Sequence, residues 1–336
     1  MMFIGFDGGY HSVKAVGNGR AVTFESFAAR PTASMLSLEG NGSLSIESER
    51  IGGAWMVGAH AVKMATRGQR QEAAGWIDTP EYLALFYAAL GQISTASRFF
   101  ADLVTGLPIL DFERDKETLR NLLLGDHRFS FQDGDNQLVT VRSVRVVPQG
   151  WGGVLAVLFN GAGKVGDAAL ATEKVAVLDV GGRTCNYLAV HGLADIPAQN
   201  KGTERGAWHV VRGVRAWLDN HYPGLSSLQD HEVMRAIIAG ETYHAGRRVD
   251  LAPVAQPIIA EIAGEITATA EQYWGENAAT FRRVLVCGGG AHLFAPAILE
   301  TFGQAVILDR PEFANATGYH NFAAYLAEQT AGCLTE

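Results

Sequence analysis

The chain has 336 residues, 48% hydrophobic and 18% charged, which excludes a disordered or fibrous polymer and suits two domains or one two-lobed unit. A formal net charge of −8 offers no broad attraction to nucleic acid or to an anionic membrane, so direct binding to either is not expected. Three cysteines, Cys185, Cys287 and Cys333, show no metal-ligand spacing and cannot all pair within one chain, which suits a reducing, cytoplasmic setting.

Met1 to Asp7 meets an acid at once and lacks a basic leader; it reads as a buried strand rather than a signal peptide. Met2 to Asp7, Ser12 to Val16 and Val22 to Phe27 are short β-type runs joined by Gly-rich turns, an antiparallel meander. Ala29 to Gln71 is polar and rich in Gly and Ser; it suggests a small insert with strands at Ser43 to Ile46 and Trp55 to Val57 and a helix at Ala59 to Thr66. Asp78-Thr79-Pro80-Glu81 signals a helix start, and Leu83, Phe86, Tyr87 and Leu90 then form one apolar face. Ala101 to Thr105 is a strand, Lys116 to Leu124 an amphipathic helix, and Phe129 to Phe131 with Leu138 to Val147 a β-pair around Asp133-Gly134-Asp135-Asn136. The apolar run at Val154 to Phe159 opens a helical stretch toward Gly166 and falls far short of the roughly 20 residues that cross a bilayer.

Val175 to Asp179 then begins a second meander resembling the first, a weak internal repeat: Phe6-Asp7-Gly8-Gly9 against Leu178-Asp179-Val180-Gly181-Gly182. Gly206 to Asn220, Asp230 to Ala239 and Pro253 to Trp274 read as helices, with a hairpin around Gly246 to Leu251. Arg283 to Cys287 is a buried strand ending in three glycines, and Asn321 to Gln329 is a closing helix.

Each strand–Asp–Gly turn offers backbone N–H groups to a phosphate, while its Asp can hold a divalent cation through water. One such turn is an ordinary β-turn sequence; the pair is the stronger signal. Lys14 lies seven residues beyond Asp7 and can return its ammonium to phosphates, or be a solvated edge lysine. Gln149, between a strand and a helix start, can orient an attacking water, or simply cap the helix after Pro148. Gly288-Gly289-Gly290 permits close backbone approach to a flat ligand or phosphate, or is a tight strand-to-helix turn. Gly163-Lys164 fails the P-loop pattern, with Leu158 and Val165 at its key positions, and His231 to Arg235 lacks the second His of a zinc-protease helix.

The ordered set Asp7-Gly8-Gly9, Pro148-Gln149-Gly150, Asp179-Val180-Gly181-Gly182, Gly288-Gly289-Gly290 and Ala314-Asn315-Ala316-Thr317-Gly318 resembles the actin, sugar-kinase and chaperone ATPase superfamily. Within it the chain looks most like bacterial and archaeal actin-like proteins of the ParM/StbA type, a likeness that includes Val104 to Pro108 and Asn315 to Tyr319. The resemblance implies an α/β, actin-like two-lobed ATPase fold, each lobe a twisted mixed sheet with flanking helices and small inserted subdomains. Residues 1–158 with 319–336 form one lobe (insert about 30–72), and 159–318 the other (insert about 200–275). By the same resemblance, ATP or ADP binds with Mg²⁺, and Asp7 and Asp179 hold the hydrated metal. Gly8, Gly9, Tyr10, Ser12 and Lys14 meet the phosphates on one side and Gly181, Gly182, Arg183 and Thr184 on the other, while Gly288, Gly289 and Gly290 line the adenosine. Gln149 and Asp179 are the catalytic positions. Tyr10 stands where actins place a small hydroxyl residue, leaving open whether Ser12 replaces it, and Gln149 stands where ParM-type proteins often carry Glu.

The function implied is a cytoplasmic, nucleotide-switched filament that hydrolyses ATP and segregates plasmids or other DNA elements, its partners being itself and a DNA-binding adaptor. Two alternatives share the fold. A sugar or acid kinase requires a general-base Asp beside Gln149 or the Asp179 turn, where none is evident, and a PilM-type scaffold binds ATP without releasing phosphate.

Overall fold

Ile4 and Phe6 on Met2–Gly8 (β1) are buried, and the strand turns back antiparallel as Ser12–Gly17 (β2) and Arg20–Glu25 (β3). The structure is a computed structural model and describes residues 1–31, 44–59, 61, 76–132, 134 and 136–333. Most of the expected insert, most of the Ala59 to Thr66 helix, and Asp133 and Asp135 lie outside the described residues. Two compact units are present, one of Met1–Ala171 with Phe313–Glu336, the other of Thr172–Glu312.

In the first unit, β1 pairs in parallel with Arg98–Leu107 (β7), and β7 with Gln137–Pro148 (β9). Ala28–Ala29 (β4), Leu44–Ser48 (β5), Gly53–Val57 (β6) and Gly125–Phe131 (β8) complete a sheet ordered β3-β2-β1-β7-β9-β8-β5-β6-β4. Thr79 caps Pro80–Ile93 (α1), accepting the Tyr82 N–H at 3.3 Å. The expected single apolar face is too narrow: eleven of the fourteen residues of α1 are buried, because the helix packs on β2 and β3 as well as on β5, β6 and β8. Phe112–Leu123 (α2) buries Leu119 and Leu123 in the same core.

The helix expected to run to Gly166 stops early, as Trp151–Leu158 (α3). Asn160 is the reason: its side-chain oxygen accepts the N–H groups of Ala162 and Lys164 at 3.0 and 3.1 Å, and Gly163 takes φ +73°, a local turn that outcompetes helical hydrogen bonding. The closing helix is longer than expected, Ala314–Cys333 (α8). Its early residue Gly318 lies so close to the Gly152 carbonyl of α3 that no side chain fits there.

The second unit repeats the pattern. Lys174–Val180 (β10) pairs antiparallel with Cys185–His191 (β11) and parallel with Arg283–Cys287 (β16), in a sheet ordered β12-β11-β10-β16-β17, where β12 is Ala194–Asp195, β17 is Ala305–Ile307, and Lys201–Thr203 (β13) also pairs with β11. Val175 to Val180 are buried on both faces, hence the continuous apolar run Val175 to Leu178 ahead of Asp179. Ala207–His221 (α4), Asp230–Ala239 (α5), Ala252–Trp274 (α6) and Ala291–Thr301 (α7) supply helices to its core. The expected hairpin is Glu241–His244 (β14) with Arg247–Asp250 (β15), turned at Ala245 and Gly246, both at positive φ. Among the described residues no helix is long and apolar enough to cross a membrane, and Cys185 and Cys287 are buried.

Candidate functional site

Strand register places Asp7 opposite Lys14 and Gly8 opposite Val13, so Gly9 to Ser12 make the connecting turn. The turn is pinned from one side: Ser26 donates its backbone N–H to the His11 carbonyl at 3.0 Å and its hydroxyl to the Gly9 carbonyl. In a trans peptide the N–H points opposite to the C=O, so the Tyr10 N–H faces the other way.

Asp7 is buried, and the Gln149 side-chain amide donates to it at 3.2 Å. Burial pushes the Asp7 carboxyl up from its ordinary range, against the Lys14 ammonium and the Gln149 hydrogen bond, which hold it down. A cation beside this carboxylate would offset the same burial cost. Gln149 reaches Asp7 because its own N–H is fixed to the Leu107 carbonyl at 2.7 Å, where β7 and β9 end together.

The second turn has the same register. Asp179 lies opposite Asn186 and Val180 opposite Cys185, leaving the four residues Gly181 to Thr184, with the Gly181 N–H donated to the Thr184 carbonyl at 2.8 Å. The carbonyls of Gly181 and Gly182 accept from Ala207 and Trp208 at 3.1 and 2.7 Å, which seats the turn on the first turn of α4. The N–H groups of Gly182 and Arg183 therefore point away from that helix. Arg183 pairs with Glu204 at 2.7 Å.

Gly288 to Gly290 join this turn rather than standing apart. The Gly290 N–H donates to the Val180 carbonyl at 2.8 Å, and the Gly288 N–H to Pro311 at 2.8 Å. Gly288 has φ +92°, and a Cβ there would lie 2.6 Å from Asp179 Oδ1. Only glycine combines that backbone with that closeness.

Within the first unit the structure thus gathers Asp7, Gly8, Gly9, Tyr10, Ser12, Lys14 and Gln149, and within the second Asp179, Gly181, Gly182, Arg183, Thr184, Gly288, Gly289 and Gly290. The donor set fits a nucleotide with Mg²⁺. Backbone N–H groups suit phosphate oxygens. Carboxylate oxygens suit a hard cation that keeps several waters, and the described residues contain no group of three His, Cys, Asp or Glu side chains that could cage a metal directly.

Sequence reasoning missed a wall beside the first turn. Tyr10 meets Trp76 in a tilted ring contact at 5.4 Å, and Trp76 meets Tyr82 edge-on at 4.8 Å; burial, with the Asp7 charge, pushes the Tyr82 hydroxyl up. Tyr10 donates to Asp111 at 3.3 Å, and Arg114 bridges Asp111 and Asp115, each at 2.7 Å. These residues and Gln149 line one small cleft of about 20 Å³. Two carboxylates therefore do lie near Gln149, contrary to the sequence expectation. The only signal for them was the helix start Leu110-Asp111-Phe112-Glu113-Arg114-Asp115, which reads equally well as ordinary helix capping.

Two sheets, each opening on a strand–Asp–turn–strand unit flanked by a parallel strand, define the actin-like class of fold. Residues 5–152 match the family model for the N-terminal domain of actin-like proteins, and residues 177–300 that for the C-terminal domain of the archaeal MreB-like actin homologue. The chain belongs to the actin-like protein family. Its structure is similar to that of an archaeal actin homologue, Ta0583, with TM-score 0.80 and 18% identity over 98% of this chain and 100% of that one. It is similar also to ParM in a 15-stranded filament from Clostridium botulinum, with TM-score 0.80 and 19% identity over 96% and 98%, and to the ADP complex of Ta0583, with TM-score 0.76 and 18% identity over 98% and 100%. No curated protein matches the chain in sequence.

Proposed function

We propose that this protein binds and hydrolyses ATP with Mg²⁺ and assembles into nucleotide-dependent filaments in the cytoplasm, moving a plasmid or other DNA element through a DNA-binding adaptor. The observation that carries the reading is the repeated turn: in each unit a buried Asp precedes a four-residue turn whose carbonyls are tied back, directing N–H groups outward. In this reading each turn serves nucleotide phosphates. Asp7 and Asp179 hold metal-bound water, Lys14 and Arg183 balance phosphate charge, and Gly288 to Gly290 take the adenosine. Gln149, held by Asp7, orients the attacking water; Mg²⁺ supplies the charge neutralisation that phosphoryl transfer needs.

Relatives solved as filaments, and one solved with ADP, support this reading. The kinase alternative gains two carboxylates near Gln149, but Asp111 and Asp115 are engaged by Tyr10 and Arg114, and about 20 Å³ is room for roughly one water rather than a sugar. Light scattering and negative-stain imaging with ATP, ADP, a non-hydrolysable analogue and no nucleotide test the proposal. Filaments with the analogue and phosphate release with ATP are expected. Monomers or closed dimers at tens of micromolar, with sugar-dependent ATP consumption, would overturn it; tight binding without phosphate release would favour the scaffold.

A further inference from the structure

The central strand β9 is only partly covered. Its first half, Gln137 to Val141, pairs with β8, whereas Ser143 to Pro148 pairs with β7 alone among the described residues. The change comes at a bulge: Ala101 faces Val141 and Asp102 faces Ser143, so Arg142 is the extra residue. Bulges end pairing and re-aim side chains. Beyond it the outward backbone groups of β9 form an open edge, able to accept another strand.

That edge lies in a groove of about 940 Å³, with Lys116, Glu117 and Arg120 of α2 on one wall and Ala323, Leu326 and Ala327 of α8 on the other. Val144 and Val146, whose side chains pack into the core of the first unit, and the exposed Arg142 and Arg145 also line it. Four cations thus face two carboxylates, on a chain whose net charge is −8. The cations of α2 are answered locally, Lys116 by Glu113 at 2.6 Å and Arg120 by Glu117 at 3.5 Å, and Asp102 accepts from Ser143 at 2.7 Å. Arg142 lies over the exposed Phe100 ring at 5.9 Å. Neither Arg142 nor Arg145 has a carboxylate partner among the described residues.

We propose that this groove binds an acidic, extended segment of a partner protein, which adds as a strand along Arg142 to Val147 and sets its carboxylates against Arg142 and Arg145. A peptide satisfies both features at once, because its backbone pairs with the open edge while its side chains answer the charge. A nucleic acid would answer only the charge. Alternating acidic and apolar residues place one set on the arginines and the other on the opposite face of the sheet, beside Val146. The proposal is independent of the nucleotide reading, since none of these residues belongs to either turn. The competing account is that the arginines merely guard the edge against aggregation.

The test uses the full chain and a fluorescein-labelled, end-blocked hexapeptide of alternating glutamate and valine, followed by fluorescence anisotropy. Saturable binding is expected. Arg142→Glu combined with Arg145→Glu should weaken it by about tenfold or more through reversed charge, with ATP hydrolysis and melting temperature unchanged. The same peptide methylated on every second amide nitrogen, which keeps every carboxylate but blocks strand pairing, should bind at least about tenfold more weakly. Equal affinity for the methylated peptide would reduce the site to a charged surface. Equal affinity of the double variant would remove the arginines from it. No binding up to about 1 mM, a bound free energy of about −4 kcal/mol, would leave the guarding role, and a duplex oligonucleotide binding where the peptide does not would assign the groove to nucleic acid. A change confined to the self-association of the double variant would assign it to a second copy of the chain.

Discussion

The turns after Asp7 and Asp179 share register and length, yet they are built from different materials. Register sets Tyr10 against Gly182, Ser12 against Thr184 and Lys14 against Asn186. The second turn is almost entirely backbone, seated on a helix start and locked by Gly288 and Gly290; its one cation, Arg183, projects from the turn itself. The first turn draws its cation from the next strand and is walled by Tyr10, Trp76 and Tyr82. One electrostatic task is met from two positions, so the two halves are expected to fail differently when mutated.

The largest effect is expected from Asp179→Ala. It should reduce magnesium-dependent hydrolysis by on the order of 10³-fold while leaving the fold intact, as checked by phosphate release and circular dichroism; wild-type turnover would refute the assignment of Asp179. Gln149→Ala should slow phosphate release by on the order of 10²-fold with only a modest loss of ATP affinity, because a water-orienting group acts mainly in the transition state. Unchanged rate and affinity would return Gln149 to helix capping.

Acid should separate the two units. His127 is buried between the Leu123 carbonyl, Arg50 and Tyr87, and burial lowers its pKa to about 4. The unfolded chain, with an ordinary value of 6.5, binds more protons between these limits, so stability is full above pH 6.5 and falls as pH drops toward 4. The expected loss at pH 4 is roughly 2–3 kcal/mol. Hydrogen-exchange protection in β8 should fall relative to β10, and His127→Gln should flatten the difference.

The smallest effect concerns Asp7, whose carboxyl is raised by burial. The folded state holds the proton more tightly than the unfolded one above the ordinary 3.8, so stability falls as pH rises through the raised value, and the ionised group is a net cost at neutral pH. Asp7→Asn should raise the melting temperature of the nucleotide-free protein by roughly 2–4 °C while abolishing the further rise on adding ATP and Mg²⁺. A lower melting temperature would show that Lys14 and Gln149 already outweigh the burial cost.

The repeat was legible because an apolar run broken by Asp and glycines carries its meaning locally, and Thr79-Pro80 signalled α1 for the same reason. The wall beside the first turn was not, since Trp76 and Asp111 are far in sequence from Tyr10 and only packing joins them. Likewise, Leu83, Phe86, Tyr87 and Leu90 suggested one buried face, but periodicity reports which side of a helix is apolar and not how many neighbours enclose it.

From sequence alone came the two strand–Asp–turn units, their order, the helices between them and the family they resemble, because each rests on backbone preferences and spacings within a few residues. Tertiary structure alone decided that Gln149 hydrogen-bonds Asp7, that Gly288 abuts Asp179, and that β9 leaves half its edge open. Those are contacts between segments distant in the chain, set by which strands pair and where a bulge ends the pairing, and local pattern carries no record of them.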